Sequence, residues 1–126
     1  MCDSIQVLIV DDDVSIQRIL MVYMNSLGFQ ADSANSGIEA LQKVHQKRYT
    51  LILMDIQMPG MGGLEATTAI RIYEKSKWLE PIPIIAITAG GATRQECFDT
   101  GMNEYLSKPV SLETLQEVVS HWIPAH

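Results

Sequence analysis

Four carboxylates, a hydroxyl and an ammonium occupy equivalent places along this chain. Asp11, Asp12 and Asp13 follow the branched apolar run Val7 to Val10, and Asp55 closes the run Leu51 to Met54. Thr88 follows Ile84 to Ile87, and Lys108 comes just after Tyr105 and Leu106. Carboxylates gathered at one place repel, so some must be protonated, solvated or bound to a cation. A hard divalent ion with oxygen ligands resolves the repulsion. Mg²⁺ takes only one or two carboxylates and keeps several waters, which leaves positions open for an oxyanion. Lys108 offers a compact positive charge and Thr88 a hydroxyl donor, and both suit an oxygen that gains charge during group transfer. Each residue also has a plain structural reading: successive aspartates cap or turn a chain, a threonine after a strand forms a turn, and a lysine is solvated. The chemical reading gains its force only if one fold brings all of them to the same rim.

The elements between these residues predict such a fold. Val7 to Val10, Leu51 to Met54 and Ile84 to Ile87 are continuous apolar runs, as expected of strands buried on both faces. Phe29 to Ala34 is a weaker strand, and Tyr105 with Leu106 a short one. Helical stripes alternate with them: Ile16, Ile19, Leu20, Tyr23 and Leu27, ending at Gly28; then Ile38, Leu41 and Val44 after a Ser36/Glu39 capping box. Leu64 to about Lys75 reads as a third helix, Thr93 with Glu96 opens a fourth that Gly101 closes, and Ser111 caps a fifth carrying Leu112, Leu115, Val119 and Trp122. The alternation predicts a (βα)₅ α/β domain, a parallel sheet covered by helices on both faces and spanning residues 1–126 as one unit. Ligands of such sheets bind just beyond the carboxyl ends of the strands, where the six polar residues fall.

Composition narrows the function classes. The chain has 126 residues, 47% hydrophobic and 19% charged, as in ordinary globular domains. A net charge of −6 argues against non-specific nucleic-acid binding, which needs Lys and Arg to displace counterions. No apolar run approaches the roughly 20 residues of a membrane span, and no basic, apolar leader opens the chain, so neither membrane insertion nor secretion is expected. Cys2 and Cys97 lack disulfide or metal spacing and read as unpaired thiols in a reducing cytoplasm.

Four blocks also carry a family resemblance. Leu8-Ile9-Val10-Asp11-Asp12-Asp13, Leu53-Met54-Asp55-Ile56-Gln57-Met58-Pro59-Gly60, Ala86-Ile87-Thr88-Ala89 and Tyr105-Leu106-Ser107-Lys108-Pro109 resemble, in order and spacing, the signature blocks of response-regulator receiver domains of two-component signalling. The resemblance implies a flavodoxin-like doubly wound sheet of strand order 2-1-3-4-5. It implies Asp55 as phosphoacceptor, with Mg²⁺ (or Mn²⁺) held by Asp12 directly, by Asp11 through water, by Asp55 and by the backbone carbonyl of Gln57. Thr88 and Lys108 would contact phosphoryl oxygens, Thr88 and Tyr105 would form a switch, and the Lys108–Pro109 peptide would be cis. Asp13 is left as an extra surface acid. Implied partners are a histidine kinase or histidine phosphotransfer domain, with no direct contact to nucleic acid or membrane. A dimer or effector contact is implied on the fourth helix, fifth strand and fifth helix, roughly Ala92 to Trp122.

This sequence departs from the family at Gly62, where Asp is frequent, which alters a loop but removes no site group. The segment Ile70 to Pro83 and the pair Gly90-Gly91 are closer in style to receivers of hybrid histidine kinases. No output domain is expected after the final helix, so the chain reads either as a stand-alone regulator or as part of a larger kinase. Two alternatives compete. Asp11-Asp12-Asp13-Val14-Ser15 fits the nucleophile motif of haloacid-dehalogenase-type phosphatases, with Asp11 as nucleophile, although their core and cap usually need about 200 residues. A degenerate receiver acting only as a docking module is the other.

Overall fold

The computed structural model describes residues 5–123. Strands β1 (Gln6–Val10), β2 (Gln30–Ala34), β3 (Leu51–Met54), β4 (Ile84–Thr88) and β5 (Glu104–Ser107) alternate with helices α1 (Val14–Ser26), α2 (Gly37–Gln46), α3 (Gly63–Ser76), α4 (Arg94–Thr100) and α5 (Leu112–Trp122). All four strand pairings are parallel, in the order β2-β1-β3-β4-β5. This is the expected flavodoxin-like arrangement.

The two-residue period of the strands divides the core in two. Leu8, Val10, Ile52, Met54, Ile84 and Ala86 pack with Ala40, Val44, Ala66, Ile70 and Cys97, which places α2, α3 and α4 on one face. Val7, Ile9, Leu51, Leu53, Ile85 and Ile87 pack with Leu20, Met24, Leu115 and Val119, which places α1 and α5 on the other. Central strands covered twice must be apolar at every position, which is why β1, β3 and β4 read as unbroken runs. The edge strand β2 is only half covered, and its sequence is correspondingly polar.

Several details correct the reading from sequence. Along α1, Leu20 is buried and Ile16, Tyr23 and Leu27 pack beside it as expected, but Gln17 and Met24 are buried as well and Ile19 stands half in solvent. On α2, Ala40 and Val44 are buried and Ile38 is exposed. Asp13 is no spare acid: its carboxylate accepts from the N–H groups of Ser15 and Ile16 and caps α1. Ser36 caps α2, but Glu39 reaches one residue further back and accepts from Asn35 N–H. The Thr93/Glu96 box and the left-handed Gly101 stop bound α4 as expected. Among the described residues no helix is long and apolar enough to cross a membrane. Cys97 is buried and unpaired, and Cys2 lies outside the described residues.

Candidate functional site

The sheet order brings the ends of β1, β3, β4 and β5 side by side, and the polar residues come with them. Asp11 and Asp55 follow adjacent strands and are almost fully buried, as is Thr88 at the end of β4. Lys108, one residue past β5, is held by its N–H donating to the Thr88 carbonyl at 3.0 Å, and the Lys108–Pro109 peptide is cis. Its ammonium lies 2.9 Å from Asp11 Oδ2 and 3.5 Å from Asp55 Oδ1. Asp12 is exposed and turns no hydrogen bond or ion pair toward another described residue.

The backbone around Asp55 is set by a close helix approach. The N–H of Asp55 donates to the Val10 carbonyl at 2.9 Å, and α3 begins so near that a Cβ at Gly63 would run into the Asp55 carbonyl oxygen. Gly62 is the N-cap and has no side chain to accept from the first turn; its own N–H donates to Glu65 Oε1 at 3.1 Å. Gln57 is exposed beyond Ile56, and its side chain lies against Gly91 of the β4–α4 loop.

The electrostatics are those of crowded acids. Burial first, and then the charge of Asp11, raise the Asp55 carboxyl above its ordinary 3.8, with Lys108 pulling the other way. Burial works to lower the Lys108 ammonium, but its hydrogen bond to Asp11 and the charges of both aspartates outweigh this and leave it raised. Oxygens of Asp11, Asp12 and Asp55 can all lie within 4.8 Å of one another. Three carboxylates against one ammonium leave two negative charges uncompensated. A divalent cation matches that deficit, and an all-oxygen set suits Mg²⁺ or Mn²⁺.

The two residues of the expected switch are engaged locally. The Thr88 hydroxyl donates to the Gly90 carbonyl at 2.5 Å and accepts from the Gly90 N–H at 3.1 Å. Tyr105 is half-buried; its hydroxyl donates to the Ala92 carbonyl at 3.2 Å, and the Arg94 guanidinium sits 5.5 Å from its ring centre. Gln17 was missed entirely. The available signal is its spacing: a polar residue three before Leu20 and seven before Met24 falls on the face turned to the core. Its buried amide donates to the Asp11 carbonyl at 2.5 Å and to Asn35 Oδ1 at 2.6 Å.

Comparisons with known proteins agree with this architecture. The pattern of the response regulator receiver domain matches residues 7–120. The chain is 36% identical to Response regulator mcs4 of Schizosaccharomyces pombe, covering 94% of this chain and 27% of that protein. It is 36% identical to Hybrid signal transduction histidine kinase K of Dictyostelium discoideum, covering 93% of this chain and 10% of that one. It is 35% identical to Sensor protein GacS of Pseudomonas syringae, over 93% of this chain and 13% of that one. The chain thus spans between 10% and 27% of these relatives' lengths. Among solved structures, the receiver domain of sensor histidine kinase PA1611 from Pseudomonas aeruginosa, with magnesium in its active-site cleft, superposes at TM-score 0.86 with 34% identity, over 98% of this chain and all of that one. The receiver of Saccharomyces cerevisiae Ssk1, in complex with the histidine phosphotransfer protein Ypd1, superposes at 0.88 with 32% identity, over 97% and 90%.

Proposed function

Because this chain belongs to the response regulator receiver domain family, we propose that it accepts a phosphoryl group onto Asp55 from a phosphohistidine of a histidine kinase or histidine phosphotransfer protein. The observation that carries this is the placement of Asp55: a buried carboxylate at the end of the central strand, 3.5 Å from an ammonium and beside two further acids. An Asp55 oxygen attacks phosphorus, the new O–P bond forms as the N–P bond breaks, and the imidazole nitrogen keeps the electron pair. Lys108 draws away from Asp11 to meet the charge on the incoming oxygens, and the Thr88 hydroxyl turns from Gly90 to donate to another. Asp11, Asp12, Asp55 and the Gln57 carbonyl would hold Mg²⁺. When bound, the ion supplies positive charge that lets an anionic phosphoryl group approach a cluster of acids. The chain thus assists its own phosphorylation and dephosphorylation and turns over no separate substrate. We place it in the cytoplasm, as one receiver unit over residues 1–126, with Ala92 to Trp122 as the surface an effector or second copy reads.

Asp11 is poorly suited to the nucleophile role of a dehalogenase-type phosphatase. One of its oxygens accepts from the Asp13 N–H and the other faces Lys108. The deciding test is labelling with a small-molecule phosphodonor and Mg²⁺. Wild type should gain one acid-stable, base-labile phosphoryl group, Asp55→Asn none, and EDTA should block the reaction. Normal labelling of Asp55→Asn together with loss in Asp11→Asn would return the phosphatase reading.

A further inference from the structure

We propose that Gln17 is a positioning residue for the cation-binding turn: through the Asp11 carbonyl it fixes the peptide that aims Asp12. The inference rests on the divalent-cation reading above. Asp12 has no tether of its own among the described residues, so its carboxylate points where the Asp11–Asp12 peptide directs it. Asp11, by contrast, is held at every polar atom. Its N–H donates to the Ala34 carbonyl at 3.1 Å, Oδ1 accepts from Asp13 N–H at 2.9 Å and Oδ2 faces Lys108 at 2.9 Å. Its carbonyl takes the Gln17 amide.

That fourth tether comes from a helix and not from the sheet. Gln17 is 6% exposed and in the buried stripe of α1, with Leu20 and Met24 anchoring the helix to the far core. Its amide has two hydrogens and two short bonds, to Asp11 O and to Asn35 Oδ1, with Ala34 O at 3.4 Å as a weaker third contact. Asn35 belongs to the β2–α2 turn, so one side chain ties that turn to the aspartate turn. A buried amide serving two turns often does no more than satisfy polar groups. Here one acceptor is the peptide joining two of the three clustered acids, so loss of the bond frees the plane that sets Asp12. Partners behind the ligands of a metal commonly govern affinity in this way.

The test separates metal affinity from fold stability. Mn²⁺ binding is followed by electron paramagnetic resonance and Mg²⁺ binding by calorimetry on the full chain, with Tm measured without metal. Gln17→Met, of similar length but with no donor, should raise both dissociation constants about tenfold. Asn35→Ala, at an exposed position that does not threaten folding, should raise them by a smaller factor, about threefold, by releasing the Gln17 rotamer. Met24→Ala removes core packing from the same stripe; it should lower Tm yet keep the dissociation constants within about twofold of wild type. Wild-type affinity in both Gln17→Met and Asn35→Ala overturns the proposal while leaving the cation site intact. Equal weakening by Met24→Ala also overturns it, since packing alone would then explain the loss. No divalent binding by wild type defeats this proposal and the cation reading together.

Discussion

The Lys108 ammonium sits closer to Asp11, at 2.9 Å, than to Asp55, at 3.5 Å. The ammonium is therefore held mainly by Asp11, with Asp55, the acid proposed above as phosphoacceptor, the farther of its two partners. A point charge parked beside the reacting oxygen adds most when new negative charge arrives.

Removing that charge should slow phosphorylation and strengthen cation binding at once. Lys108→Met should cut the initial rate of labelling from a small-molecule donor about 100-fold. Its Mg²⁺ dissociation constant should fall, because three carboxylates would then face the ion without an internal competitor. Labelling rate and calorimetry on the same preparation check both, and weaker Mg²⁺ binding in the variant would contradict the charge balance argued here.

Asp55 should make the fold less stable as pH rises. Burial, then Asp11, raise its carboxyl above the ordinary 3.8, so the folded state holds that proton to higher pH than the unfolded chain does. Stability from this group is therefore lost as pH climbs through the interval above 3.8. Asp55→Asn should flatten the decline and stabilise the metal-free protein at neutral pH by on the order of 1 kcal/mol. Saturating Mg²⁺ should do the same for wild type, since it binds the folded carboxylates. Urea melts at several pH values, with and without Mg²⁺, measure this. A wild-type stability that rises across the interval while Asp55→Asn stays flat would reverse the sign.

The fold was legible because strands buried on both faces leave no polar positions, so β1, β3 and β4 announce themselves and the residues after them become the rim. Helix phase was less legible. In α1 the apolar positions Ile16, Ile19, Leu20, Tyr23 and Leu27 suggest one face; all but Ile19 pack on the core, but the centre of that face runs through Gln17, Leu20 and Met24 and leaves Ile19 half in water. An apolar residue on a surface helix costs little, so composition cannot fix the rotation. The identities of Asp11, Asp55, Thr88 and Lys108 were readable, but their bonds were not. That Thr88 is tied to Gly90, or Asp13 to the start of α1, depends on loop geometry that short-range sequence leaves open.

Gly90 should set a long phosphoryl lifetime. Hydrolysis of an acyl phosphate needs a water aligned for in-line attack, and Gly90, two residues past Thr88, has no side chain to hold one. A Cβ there meets nothing within 4 Å, although φ of +148° strains any other residue. Gly90→Asn places an amide that can hold a water at this position, and its Tm is measured alongside because the backbone there must shift to take a side chain. It should shorten the half-life of labelled protein after donor removal several-fold; an unchanged half-life would remove this position from the control of decay.

Readout should run through a relay of three hydrogen bonds in the β4–α4 loop. The Thr88 hydroxyl donates to the Gly90 carbonyl and accepts from the Gly90 N–H, while the Tyr105 hydroxyl donates to the Ala92 carbonyl, so residues 88 to 92 and the ring on the adjacent strand form one connected unit. A phosphoryl oxygen on Asp55 competes for the Thr88 hydroxyl, and a charged acceptor outbids a neutral carbonyl. Once the hydroxyl turns, Gly90 loses its donor, the loop repacks, and the Ala92 carbonyl shifts away from Tyr105. The ring is half-buried against α4's first turn, with Arg94 5.5 Å from its centre, so α4 must follow. Only a few kcal/mol of differential interaction are needed to move such a two-state loop. Thr88→Ala should still accept phosphate on Asp55, more slowly, yet transmit little. Tyr105→Phe should accept it normally and lose only the last link. Backbone NMR with and without beryllofluoride separates these. Wild type should shift at Gly90 to Ala92, at Tyr105 and along Thr93 to Gly101. Thr88→Ala should shift only around Asp12, Asp55 and Lys108, and Tyr105→Phe should keep the loop shifts but lose most of those along α4. Full remote shifts in Thr88→Ala would mean that the hydroxyl is not the coupler, and wild-type shifts confined to the acidic rim would mean that the relay does not operate.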